Sequence, residues 1–71
     1  MNLQNAIFDE LIQERVPVTM FLMNGFQIRG IVTCYDESVI AVVIDGKQQV
    51  FYKHAISTIA PIRPLRAITR E

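Results

Sequence analysis

Apolar residues recur at helical spacing near the start of the chain, then alternate with polar ones or form short unbroken runs. Leu3, Ile7 and Leu11 stand four apart, and Ala6, Phe8 and Ile12 widen the stripe. This spacing predicts a helix over 3–14 with one apolar face. Gln4, Asp9, Glu10 and Gln13 fall on the other face, and Asn2 is placed to cap the first turn. Pro17 closes the helix, because the residue before a proline is pushed out of helical geometry. A helix of roughly twelve residues is marginal alone, so its stripe must rest on something.

From Pro17 onward the pattern predicts strands. Val18 to Met23 is rich in strand formers, and Asn24-Gly25 is a hairpin signal. Phe26, Ile28, Val32 and Cys34 then alternate with Gln27, Arg29, Thr33 and Tyr35, with Gly30 interrupting as at a bend or bulge. Asp36-Glu37-Ser38 is a polar break. Val39 to Ile44 is a continuous apolar run, which suits a strand buried on both faces. Asp45-Gly46 is a second hairpin signal. Gln49 to Lys53 and Ala55 to Ala60 complete the set, and Pro61 and Pro64 stop it.

The fold class expected is therefore mostly β with one N-terminal helix. One domain spans 1–64, with strands over about 17–60, and a short tail at 65–71 is expected to fray. Five short antiparallel strands with a bent second strand curl into a small barrel. Such a barrel keeps open edges, and the last strand (Ala55, Ile56, Ile59, Ala60) carries no polar guard. Pairing of copies edge to edge would satisfy it, closing into a ring or growing into a filament.

Composition sharpens this. Among 71 residues, 51% are hydrophobic without counting glycine, against the usual ~45–50% that includes it. A domain this small hides only about 60% of its unfolded surface. The excess is either a rich core or apolar surface set against other subunits or a flat ligand. Seven basic and seven acidic residues give zero net charge, which argues against simple electrostatic capture of nucleic acid. The charges are segregated, however. Asp9, Glu10 and Glu14 precede any cation, whereas Lys53, Arg63, Arg66 and Arg70 follow Gln48 with no acid until the last residue. A basic patch on one face is thus possible. The single cysteine, Cys34, and single histidine, His54, exclude a disulfide and make a zinc site implausible. No apolar run approaches a membrane span. A cytoplasmic protein without metal or cofactor is expected. No phosphate-cradling glycine loop or nucleophile–base–acid set is present, so no catalytic residues are assigned and no enzyme is expected.

One further cluster has chemistry to offer. In Phe51-Tyr52-Lys53-His54-Ala55-Ile56-Ser57-Thr58 a cation and the only imidazole sit side by side between two apolar runs. Alone this is a solvated pair. In company it is more. Leu3-Gln4-Asn5, Val16-Pro17-Val18, Leu22-x-Asn24-Gly25-Phe26-Gln27-Ile28-x-Gly30, Tyr35-Asp36 and the block just quoted, in this order, resemble the Hfq family of bacterial Sm-like RNA chaperones. The resemblance covers about residues 3–64. The Asn-Gly-Phe-Gln and Asp-Gly-Lys-Gln stretches are closer to the versions from Gram-positive bacteria than to enteric ones.

The resemblance implies a helix on a bent five-stranded Sm-like (SH3-type) barrel. It implies a homo-hexameric ring formed by pairing fourth and fifth strands, and two RNA-binding faces. On the proximal face, Gln4, Glu37, Ser38, Lys53 and His54 match positions that hold uridine-rich RNA. On the distal face, Phe21, Asn24, Gly25, Phe26, Gln27, Ile28, Arg29, Gln49 and Thr58 match positions that hold adenine-rich RNA. Arg15 and Tyr35 match the rim. The implied partners are single-stranded small regulatory RNA and mRNA, with no membrane and no small-molecule substrate. Phe26 and Ile28 read alone would be ordinary core.

Three departures bear on the sites. Ser38 stands where the family usually has a base-stacking aromatic, and Glu37 where it often has glutamine or asparagine. Weaker uridine-tract binding is expected, and adenine-rich RNA should be preferred. Where relatives carry a basic run late in the helix, Ile12 and Gln13 leave only Arg15, so a rim poor in charge is expected to anneal RNAs slowly. The competing reading is a small barrel that binds peptides by strand addition at its open edge, or a scaffold, without affinity for RNA.

Overall fold

The computed structural model describes residues 2–69. It has the order α1 (Leu3–Gln13), β1 (Val18–Leu22), β2 (Gln27–Tyr35), β3 (Val39–Ile44), β4 (Lys47–Tyr52), a single 3-10 turn at Lys53–Ala55, and β5 (Ile56–Pro61). Asn2 caps α1, its side chain accepting from the Asn5 N–H at 3.1 Å. The helix ends in a left-handed residue, Arg15 (φ 52°). The Val16 N–H reaches back to the Leu11 carbonyl at 3.0 Å and the Arg15 N–H to that of Ile12 at 3.3 Å. These are the two bonds of a Schellman ending, sealed by Val16 and Leu11 in the core. Pro17 follows the stop rather than causing it.

All strand pairs are antiparallel, in the order β4-β3-β2-β1-β5. The sheet bends at Gly30. Up to that residue β2 pairs with β1, and from Ile31 onward with β3. A Cβ at Gly30 would run into the Val43 carbonyl oxygen and lie 2.7 Å from the Val42 side chain. The glycine is there because β3 crosses too close for any side chain. A separate register shift lies between Val32 and Cys34. That bulge turns Tyr35 toward Phe8 and leaves Cys34 exposed, the reverse of what simple alternation predicts.

Asp45 and Gly46 both have positive φ and link β3 to β4 as a two-residue turn. Asn24-Gly25 instead belongs to a three-residue loop. The Gly25 N–H bonds to the Leu22 carbonyl at 2.9 Å and the Leu22 N–H to that of Phe26 at 2.8 Å. Gly25 supplies the left-handed residue such loops need.

Phe8, Leu11, Val16, Val18, Met20, Val32, Ile40, Val42 and Leu65 form the core between helix and sheet. Leu3, expected in the helix's buried stripe, is exposed. Leu65 corrects the expected boundary at 64: it is 2% exposed. The helix holds it there. The Glu10 carboxylate accepts from the backbone N–H of Arg66 (3.0 Å), that of Ala67 (2.9 Å) and Arg63 Nη1 (3.1 Å). The last two residues of the expected frayed tail lie outside the described residues. No helix among the described residues is long and apolar enough to cross a membrane.

Candidate nucleic-acid interface

The chain crosses from β4 to β5, opposite edges of the sheet, through the 3-10 turn that carries Lys53 and His54. The Lys53 N–H bonds to the Ser38 carbonyl at 2.8 Å, which fixes this turn beside the β2–β3 turn. There Asp36 Oδ1 accepts from the N–H groups of Ser38 (2.8 Å) and Val39 (2.9 Å). Those N–H groups, Val39's first, hold the Asp36 carboxyl below its usual range, with the Lys53 charge adding to the effect. The Lys53 ammonium sits 5.2 Å from the ring centres of both Phe8 and Tyr35. Tyr35 donates its hydroxyl to Asp9 Oδ1 at 2.7 Å, and that bond pushes the phenol up from its ordinary value.

Among the expected proximal residues, Gln4, Glu37 and Lys53 thus line one polar pocket of about 550 Å³, together with Asn2, Asn5 and Tyr35. Ser38 is joined to Lys53 through the backbone. His54 is set apart, its ring stacked on Tyr52 at 5.6 Å. Asn2, Asn5 and Asp9 were not expected in this neighbourhood, although they share a helix face at spacings of three and four.

The expected distal residues divide. Phe21 is directly opposite Gln27 on β2 and Thr58 on β5, so these three form a row on one face. Arg29, opposite Thr19, continues that face. Phe26 is 67% exposed beside them, and Asn24 Oδ1 accepts from the Phe26 N–H at 3.0 Å, holding the loop that presents it. Ile28 lies opposite buried Met20 on the other face and packs against the core. Gln49 is on β4 opposite Val42, away from this row.

The two rim residues are not brought together. Tyr35 meets Asp9 in the middle of α1, whereas Arg15 follows the helix end. The acidic and basic ends of the chain do meet. Arg63 pairs with Glu10 (3.1 Å) and Glu14 (3.8 Å), and Arg66 with Glu14 (3.1 Å). The Arg66 and Ala67 N–H groups, and then Arg63, hold the Glu10 carboxyl below its ordinary value. Arg63 and Arg66 are therefore paired with acids of the helix, and Arg70 lies outside the described residues.

A shallow apolar groove runs along the free edge of β5, floored by Ile56 and Ile59 and walled by Leu3, Ile7, Leu65 and Ile68. On β4, the opposite free edge, Val50 and Tyr52 are exposed.

Comparison with known proteins gives one consistent result. The family model described as "Hfq protein" matches residues 3–66. "RNA-binding protein Hfq" of Syntrophomonas wolfei is 46% identical over 71 residues, all of this chain and 87% of that one. Its counterpart in Desulforamulus reducens is 49% identical over 65 residues, covering 92% and 81%. Relatives such as these come from Gram-positive-type bacteria. A crystal structure described as that of the pleiotropic translational regulator Hfq superposes with a TM-score of 0.80 at 39% identity, covering 83% of this chain and 98% of that one.

Proposed function

The chain belongs to the Hfq family, and from that premise we propose that it is an RNA-binding chaperone that acts after transcription, not an enzyme. It takes single-stranded RNA and promotes pairing of small regulatory RNA with mRNA in the cytoplasm. The observation that carries this reading is the hairpin end of the sheet. A large aromatic, Phe26, stands in water in the loop that leads into the row of Phe21, Gln27, Arg29 and Thr58. An aromatic this exposed adds little to the core, and an unstacked base has a π-face to lay on it.

The ring extends the same reading. β4 and β5 are the free edges of the sheet, each with exposed or half-buried apolar residues. Strand β4 of one copy adds to β5 of the next, and its Val50 and Tyr52 enter the groove walled by Ile68. Six copies close the circle and repeat each modest site around an axis. Adenine-rich RNA takes the hairpin face. Uridine-rich RNA takes the Lys53 and His54 face more weakly, for want of an aromatic at Ser38.

The test is a titration of labelled oligo-A and oligo-U against the purified protein, with its mass measured in solution. Oligo-A should bind more tightly, to a species of six chains. A monomer that ignores both at low salt would leave the peptide-binding barrel as the better reading.

A further inference from the structure

The polar pocket between the first turn of α1 and the β2–β3 turn contains side chains that make no hydrogen bond among the described residues, although the Lys53 ammonium also lies over the Phe8 and Tyr35 rings. Several of its polar atoms are already engaged. The Asp36 carboxylate holds Ser38 and Val39, Asn2 caps the helix, and the Tyr35 hydroxyl is bound to Asp9. Among the described residues, the Glu37 carboxylate, the Lys53 ammonium and the Gln4 and Asn5 amides have no side-chain hydrogen bond, and all four line the same space. Lysine only donates. An ionised carboxylate only accepts, and does so with two oxygens side by side.

Those two groups define a hydrogen-bonding pattern of one donor and two adjacent acceptors. Guanine alone among the four RNA bases has the complementary edge, an acceptor at O6 and donors at N1 and N2. Uracil presents acceptor, donor, acceptor, so the second Glu37 oxygen would face O2 and repel it. Cytosine and adenine each place a ring acceptor where Glu37 needs a donor. The surroundings also favour a base over a phosphate, because Asp9, Asp36 and Glu37 outnumber Lys53 there. At about 550 Å³ the pocket has room for a base and its ribose, within the ~300–1,000 Å³ of ordinary ligand sites.

We infer that this pocket takes a guanine base, with Glu37 accepting from N1–H and N2–H and Lys53 donating to O6. The inference rests on the RNA-binding reading for its ligand. It makes Glu37 the residue that turns the proximal site from uracil toward guanine. The same edge belongs to guanine in single-stranded RNA and to a free guanine nucleotide, and competition by GMP separates the two.

The experiment uses labelled cytidine hexamers with one central G, inosine, U or C, read by fluorescence anisotropy on the intact protein. A bidentate pair of this kind discriminates by roughly five- to a hundredfold, and the exposure of Glu37 puts the expectation at about fivefold. G should bind that much more tightly than U and C, and inosine, which lacks the N2 amine, should fall well below G. E37Q should abolish the preference for G and raise the affinity for U. Competition by GMP extends the site to free nucleotides, and its absence confines it to RNA. Equal binding of G, inosine and U by the unaltered protein overturns the inference without recourse to any variant, as does a G preference that survives E37Q. Oligo-A is titrated in parallel. If it binds while G shows no preference, only the guanine assignment falls. If oligo-A fails as well, the RNA-binding reading falls with it.

Discussion

Replacing Phe26 with alanine separates binding from folding. The ring is 67% exposed, so only about a third of its surface leaves water on folding. A fully buried phenylalanine is worth about 1.5–3 kcal/mol, which puts the folding cost near 0.5–1 kcal/mol. In a domain of this size each kcal/mol moves Tm by roughly 4–8 °C. The Phe26 N–H that bonds to Asn24 Oδ1 is backbone and survives the change. The loop therefore keeps its shape and loses only its face. Stacking of a base on an aromatic is worth ~1–3 kcal/mol by alanine substitution. At 1.4 kcal/mol per tenfold, oligo-A affinity should fall by roughly five- to a hundredfold, and by more on a tract that uses several copies. Anisotropy titrations of oligo-A and oligo-U, with circular-dichroism melting of the same samples, measure both effects. Oligo-U affinity should hold within about twofold. An oligo-A affinity that does not move, or equal loss of both ligands in a protein still folded, would refute the assignment of Phe26 to a separate adenine-binding face.

The other expectations are of three kinds. Gly30→Ala drives a methyl into the Val43 carbonyl and the Val42 side chain, an overpacking that costs ~1–3 kcal/mol or more. Chemical denaturation at fixed protein concentration should show at least that loss, and a change under about 0.5 kcal/mol would contradict the close crossing of β2 and β3. Ser38→Phe supplies the missing stacking face at the proximal site and should tighten oligo-U about fivefold or more; unchanged binding would mean that Ser38 does not face the base. Acid should loosen the fold through Glu10 and Asp36, whose folded-state values are both lowered by backbone N–H donors. A lowered carboxyl contributes stability that is fully present above its unfolded value of ~4 and is lost as pH falls through the folded value. Tm should be flat from neutrality to about pH 5 and decline below it, and the Glu10→Gln, Asp36→Asn double variant should decline less steeply. Parallel declines would remove these two groups as the cause.

Local chemistry was legible in the sequence and distant chemistry was not. The helix, five strands and the bend at Gly30 follow from periodicity and from one glycine where only a bare backbone fits. Asp45-Gly46 formed the two-residue turn its composition suggested. Asn24-Gly25 did not, because the Asn24 side chain captures the Phe26 N–H and a third residue joins the loop. The bulge between Val32 and Cys34 left no mark in the alternation, so Tyr35 and Cys34 exchanged faces unannounced. Leu65 looked like tail because its anchor, Glu10, lies more than fifty residues earlier. The site divides in the same way. Gln4, Glu37 and Lys53 line one pocket, while Asp9 and Asn5 entered only when β2 folded against α1.

Charge is where sequence and structure differ with most effect on function. Acids first and bases last suggested a basic face, but the ends fold together and Arg63 and Arg66 are paired with Glu10 and Glu14. On the hairpin face the only cation among the proposed contacts is Arg29, which makes no ion pair among the described residues. Binding there must rest on stacking and hydrogen bonds, with one phosphate contact per chain. For single strands the slope of log affinity against log salt is about −0.7 per phosphate neutralised. Oligo-A binding should therefore weaken with salt by no more than about that amount for each chain the tract engages. Arg29→Gln should flatten most of the slope and leave much of the affinity at high salt, where Phe26→Ala should do the reverse. If the slope survives loss of Arg29, the phosphates are being held by another cation, and Arg15, Lys47 and Lys53 make no ion pair among the described residues.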